Sequence, residues 1–152
     1  MTSNEATIAR NKKARFNFEI HETYEAGLEL QGTEAKALRD GKANIEEAFA
    51  RVQDGELYIH NMHISPYDKG NLFNHEPRRI RKLLLHKKEI KKITVALEQR
   101  GFTLIPLALY FKRGWAKVLL GIASGKRKAD KREDMRKREA EKEIRRATRR
   151  RL

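Results

Sequence analysis

The residue types that carry out chemistry are present in this chain, but their spacing sets most of that chemistry aside. The five histidines, His21, His60, His63, His75 and His86, are scattered. Only His60 and His63 are near neighbours, and on a strand they point to opposite faces. Ser124-Gly125-Lys126 has the close of a phosphate loop without its upstream glycine, and no nucleophile elbow or metal-ligand spacing is present. Glu46 and Glu47 are adjacent rather than convergent, as in a solvated loop. With no cysteine, thiolate and disulfide chemistry are excluded. The expectation is a protein with no catalytic residues, no metal and no cofactor.

The basic residues point elsewhere. The chain carries 35 Lys/Arg against 21 Asp/Glu, a net charge of +14. Residues 125–152 hold 14 of those bases against 6 acids, so both the tail and the rest are cationic, the tail more densely. Such a field attracts a polyanion, and each phosphate contact releases counterions. Three groups precede the tail: Lys12, Lys13 and Arg15; Lys36, Arg39 and Lys42; and Arg78, Arg79, Arg81 and Lys82. Brought together on one body, they would form a phosphate-tracking surface. The aromatics, all before residue 116, mostly alternate along strands and are expected in the core.

The elements that would position these bases can be read from periodicity. Phe16, Phe18 and Ile20 alternate with polar neighbours as a strand, Ala26-Gly27 reads as a turn, and Leu28 and Leu30 alternate again. Thr33 is placed to cap a short helix that ends at Gly41. AFARVQDGELYIHNMHI (48–64) is a hairpin turning at Asp54-Gly55, although mixed parity leaves its core face open. Ile90, Ile93, Ala96 and Leu97 repeat at helical spacing up to a cap at Gly101. Pro106 sends the next strand to an edge or a bulge, and Arg113-Gly114 turns the chain into the last strand. The expected fold class is mainly β: a small antiparallel barrel with peripheral short helices, the alternative being an α+β sandwich. No apolar run is long enough for a transmembrane helix. The start lacks a secretory signal pattern, so a cytoplasmic location is expected.

The tail differs in kind. Ala140, Ile144 and Ala147 form too thin a stripe to hold a helix, while Glu133/Lys137, Asp134/Arg138 and Glu141/Arg145 pair at i,i+4. Residues 1–124 are thus expected to be the RNA-binding domain. Residues 125–152 are expected to be a basic tail, disordered when free and helical once docked.

Specific stretches run in order along nearly the whole chain: IARNKKARFNFEI, YEAGLELQGTEAKALRDGKANI, RKLLLHKKEI and GKRKADKREDMRKRE. In these the chain resembles the SsrA-RNA-binding protein (small protein B) family of bacterial trans-translation. The resemblance implies an OB-like β-barrel that binds the tRNA-like part of transfer-messenger RNA and delivers it to stalled ribosomes. The partners it implies are that RNA and the ribosome, at the 16S rRNA decoding centre and the empty mRNA channel, which the tail occupies. It implies no membrane partner, and a monomer when free. Family positions map onto Asn11, Lys12, Glu25, Leu84 and His86 on the RNA-facing side. Arg15, Lys36, Arg39, Lys42, Arg81 and Lys82 join them by charge. In the tail the signature falls on Gly125, Lys126, Lys128, Asp130, Lys131 and Arg132, with Arg127 among them. Two departures stand out: Ala129 where many relatives place histidine, and Ala140 where several carry tryptophan. Tail docking here leans more on charge.

Overall fold

The computed structural model describes residues 5–69, 73–126 and 128–150. In chain order it contains β1 (Glu5–Arg10), α1 (Ala14–Asn17), β2 (Phe18–Leu28), α2 (Gly32–Arg39), β3 (Ala43–Asn44), β4 (Phe49–Gln53) and β5 (Glu56–His60). These are followed by β6 (His63–Ile64), β7 (Arg81–Leu84), α3 (Lys87–Arg100), β8 (Thr103–Lys112), β9 (Trp115–Gly125) and α4 (Lys128–Arg150). The main sheet runs β1-β8-β4-β5-β7-β2-β9, and β8 also pairs with β9, so six antiparallel strands return on themselves. The mainly β antiparallel architecture expected from the alternating segments is the one observed.

Strand β8 shows how the ring closes. One of its edges pairs with β9 along its length. The other is shared, with Leu104 facing Ala50 of β4 and Ala108–Lys112 facing β1. The register slips between Pro106 and Ala108, where the partner changes. Proline has no N–H for the ladder, and a bulge is where that loss is tolerated. Asn11 satisfies the carbonyls there: its backbone N–H donates to Leu107 O at 2.9 Å and its side-chain amide to Pro106 O at 3.0 Å.

Inside the ring lie Ala26, Leu57, Ile59, Leu83, Leu109, Val118 and Leu120, sealed by Leu38 of α2 and by Ile90 and Ile93 of α3. Fully burying one such side chain is worth about 1.5–3 kcal/mol. The parity that the sequence left open in the hairpin resolves at Asn61. Leu57 and Ile59 point inward, Asn61 takes φ 59, and after it Met62 and Ile64 point inward. The turn at Asp54-Gly55 is as expected, with both residues at positive φ.

Three local expectations are corrected. Phe16 lies in α1 rather than on a strand. Ala26-Gly27 is not a turn: β2 runs straight through it, because Ala26 fills the core while Gly27 packs beneath Leu84 of β7. Helix α2 is capped two residues ahead of the expected position, at Gln31, whose N–H donates to Glu34 Oε1 at 2.8 Å. Thr33 is instead bonded to the buried His75, Oγ1 to Nδ1 at 2.9 Å.

A buried charge cluster fastens α2 to the barrel. Glu34 and Arg81 are both 0% exposed. Arg81 Nε donates to Glu34 Oε2, its Nη1 to Met62 O at 2.8 Å and its Nη2 to Pro77 O at 3.1 Å. Arg79 adds a bond to Glu34 Oε1 at 2.6 Å. Burial alone would raise the Glu34 carboxyl. Hydrogen bonds from Arg79, the Gln31 amide and Arg81 outweigh it and hold that carboxyl below its ordinary value.

Candidate nucleic-acid interface

The barrel has an outer face across β8, β9 and β2 whose residues follow from register. Inward-pointing Tyr24, Ala26 and Leu28 alternate with outward-pointing Thr23, Glu25 and Gly27. Glu25 stands opposite Leu119, Gly27 opposite Lys117, and Lys117 opposite Tyr110. On the other side of β2, Gly27 stands opposite Leu84, which is 48% exposed. Lys82 is on the same side of β7 as Leu84, 3.8 Å from Glu56.

Glu25 is held from two sides. Tyr110 donates its hydroxyl to Oε2 at 2.5 Å, and Lys112 Nζ lies 3.3 Å from the same oxygen. The Tyr110 bond, with help from Lys112 and Lys117 and against partial burial, keeps the carboxyl below its ordinary value. An ionised carboxylate on a basic face repels phosphate and accepts hydrogen bonds from base N–H or ribose hydroxyl. Exposed Leu84 offers an apolar patch alongside it, and Lys117 and Lys112 supply the charge. This combination can grip unpaired nucleotides as well as a phosphate backbone.

The other predicted residues fall into distinct places. At the far end of the same face, α1 covers a small apolar cluster of Ala14, Ile105, Leu107 and Ala123. Lys12 and Arg15 are exposed there, whereas the side-chain amide of Asn11 is engaged at the bulge. Lys36, Arg39 and Lys42 form a second basic patch around residues 67–68: Lys36 lies over the Tyr67 ring at 5.6 Å and Lys42 pairs with Asp68 at 2.9 Å. The expected surface cluster at 78–82 is corrected. Arg81 is withdrawn into the core and Arg79 is turned onto Glu34, leaving Arg78 and Lys82 outside. His86 ends as the N-cap of α3, exposed, its N–H donating to Glu89.

In the tail, Gly125 closes β9 opposite Phe18, and Lys126 pairs with Asp134. Arg132 is exposed. Arg127 lies outside the described residues, as do the side chains of Lys128, Asp130 and Lys131. Helix α4 leans on α1 through Arg138, whose guanidinium sits 5.3 Å over the Phe16 ring.

Sequence reasoning missed Tyr110, Lys112 and Lys117. Their alternation was visible, but only strand register shows that they surround Glu25. Among the described residues no group of three or more His, Asp or Glu could hold a metal, and no helix is long and apolar enough to cross a membrane. A cleft of about 720 Å³ between α1, β4 and β8 is lined by Lys13 and Arg51 but also by Glu46, Glu47 and Glu98, a mixture ill suited to phosphate.

The family described as SmpB protein matches residues 8–150. The chain belongs to the SmpB family. The SsrA-binding protein of Geobacillus thermodenitrificans (strain NG80-2) is 58% identical over 142 residues, covering 93% of this chain and 92% of the relative. That of Desulforudis audaxviator (strain MP104C) is 58% identical over 145 residues and covers 95% of each. A solved chain described as "tmRNA-SmpB: a journey to the center of the bacterial ribosome" is 53% identical. It covers 84% of this chain and 94% of its own, with a TM-score of 0.66. The resemblance read from LELQGTEAKALR, GKANI and RKLLLH is borne out at the level of the SmpB family.

Proposed function

We propose that this chain binds the tRNA-like part of transfer-messenger RNA on the outer face around Glu25. It then delivers that RNA to stalled ribosomes for trans-translation. The observation that carries this reading is the match to SsrA-binding proteins over nearly the whole of both chains. The joining of Glu25, Leu84 and Lys117 on adjacent strands supplies a surface for it. The protein works in the cytoplasm as an adaptor without catalysis of its own, and the peptide chemistry is the ribosome's.

Residues 1–124 act as the RNA-gripping body and 125–152 as the ribosome arm, which enters the vacant mRNA channel and takes its final order there. What supports the division is the arm's surface: Met135 and Ile144 are both exposed, so α4 buries no large apolar stripe against the body. The basic residues Lys126, Arg127, Lys128, Lys131 and Arg132 would meet rRNA phosphates.

Glu25→Ala tests the face. The variant is expected to fold normally and to lose about ten-fold or more in affinity for the tRNA-like RNA, the worth of one charge-assisted hydrogen bond. A gel-shift titration at wild-type affinity would remove Glu25 from the interface.

A further inference from the structure

Beyond Glu25, the same outer face ends in an unusual tip. Trp115, the chain's one tryptophan, is 74% exposed and stands opposite Lys112, the lysine that contacts Glu25. The two residues between them, Arg113 and Gly114, have φ of 53° and 81°, the left-handed pair of a tight hairpin. Such a turn sets the course of the backbone at the tip, and Trp115 follows it on the outer face. Arginine is a poor occupant of the left-handed region, which Asn, Asp or Gly enter at lower cost. Here the chain nonetheless keeps an arginine there, two residues before Trp115. Ala116 next to it points into the core, so the strand's inward face is already filled without the indole. An exposed indole with Lys112, Arg113 and Lys117 around it, continuous with the Glu25 surface, matches the chemistry of single-stranded nucleic acid, whose bases stack while their phosphates pair with cations.

We propose that Trp115 is a stacking platform for an unpaired base of the RNA held by the Glu25 face, with Arg113 on the adjoining phosphate. This rests on the RNA-binding reading above and extends it by a second contact point at the β8–β9 turn.

The test uses the full chain and a dye-labelled transcript of the tRNA-like domain at physiological salt. Dye anisotropy reports binding, and the emission of the sole tryptophan reports its own contact. The expected result is quenching of Trp115 that follows the anisotropy curve. With it, Trp115→Ala should weaken affinity about five- to one-hundred-fold, the range of one base–aromatic stack. Trp115→Phe, which keeps a ring, should stay much closer to wild type. Anisotropy that rises while emission stays constant and Trp115→Ala binds normally would overturn the stacking role and leave RNA binding standing. No anisotropy change at all would overturn both. A blue shift on phosphatidylglycerol vesicles without quenching by RNA would assign the tip to a membrane and likewise overturn the proposal.

Discussion

Removing residues 125–152 is expected to leave binding of transfer-messenger RNA largely intact and to abolish tagging on stalled ribosomes. The face around Glu25 is built from β2, β7, β8 and β9, and the bonds that hold Glu25 there come from Tyr110 and Lys112 of β8. The deletion removes a net charge of +8, so some affinity will be lost at low salt through fewer released counterions. At physiological salt that contribution shrinks, and the shaped contacts remain. Tagging requires the arm to reach rRNA and should fall to background in a reconstituted assay. The division of labour fails if the shortened protein binds RNA as poorly as Glu25→Ala, or if it still supports tagging. Lys126 and Asp134 form a part-buried pair, but both belong to the removed segment, as does the Arg138 that sits over Phe16, so among the described residues the deletion leaves no charge of the body without its partner. Losing these contacts should not unfold the body.

The largest effect on stability is expected at Glu34. Glu34→Ala leaves Arg81 charged in the core without its carboxylate, and breaking a buried pair in this way costs about 3–5 kcal/mol. For a domain of this size that lowers the thermal midpoint by roughly 6–20 °C. Exposed Arg39→Ala on the same helix should change stability by no more than about 0.5 kcal/mol. A midpoint for Glu34→Ala equal to that of Arg39→Ala, by circular dichroism, would show that α2 is held by Leu38 and Ala37 alone. Glu34 also sets part of the acid limb of stability. Its carboxyl is lower in the folded chain than in the unfolded one. Its contribution is therefore complete above the unfolded value and is lost as pH falls through the folded one. Glu34→Gln should flatten that limb of the melting profile.

The sequence showed the hairpins at Asp54-Gly55 and Arg113-Gly114, the helix ending at Gly101 and the place of Pro106 at an edge or a bulge, because each is written in a few adjacent residues with one low-energy conformation. It did not show what depends on long-range register. Ala26-Gly27 looks like a turn until β7 is laid against it and the glycine becomes the space for Leu84. Arg79 and Arg81 look like two more surface bases until Glu34, more than forty residues earlier, is brought to them. In a protein this basic, charge alone marks too many residues, and burial separates Arg81 from Lys82. Glu25 was found through resemblance; its partners Tyr110 and Lys112, 85 and 87 residues on, required the β2–β9–β8 register.

The central claim is that a barrel with a built face grips one shaped RNA, rather than a cationic surface holding whatever RNA is abundant. The most direct measurement is crosslinking of the intact protein in living cells, followed by sequencing of the attached RNAs and mapping of the crosslinked residues. The expected result is a dominant tRNA-like RNA joined to positions on the Glu25 face, with rRNA joined to the tail. Crosslinks from the barrel spread across ribosomal RNA in proportion to its abundance, with no tRNA-like partner enriched, would contradict it.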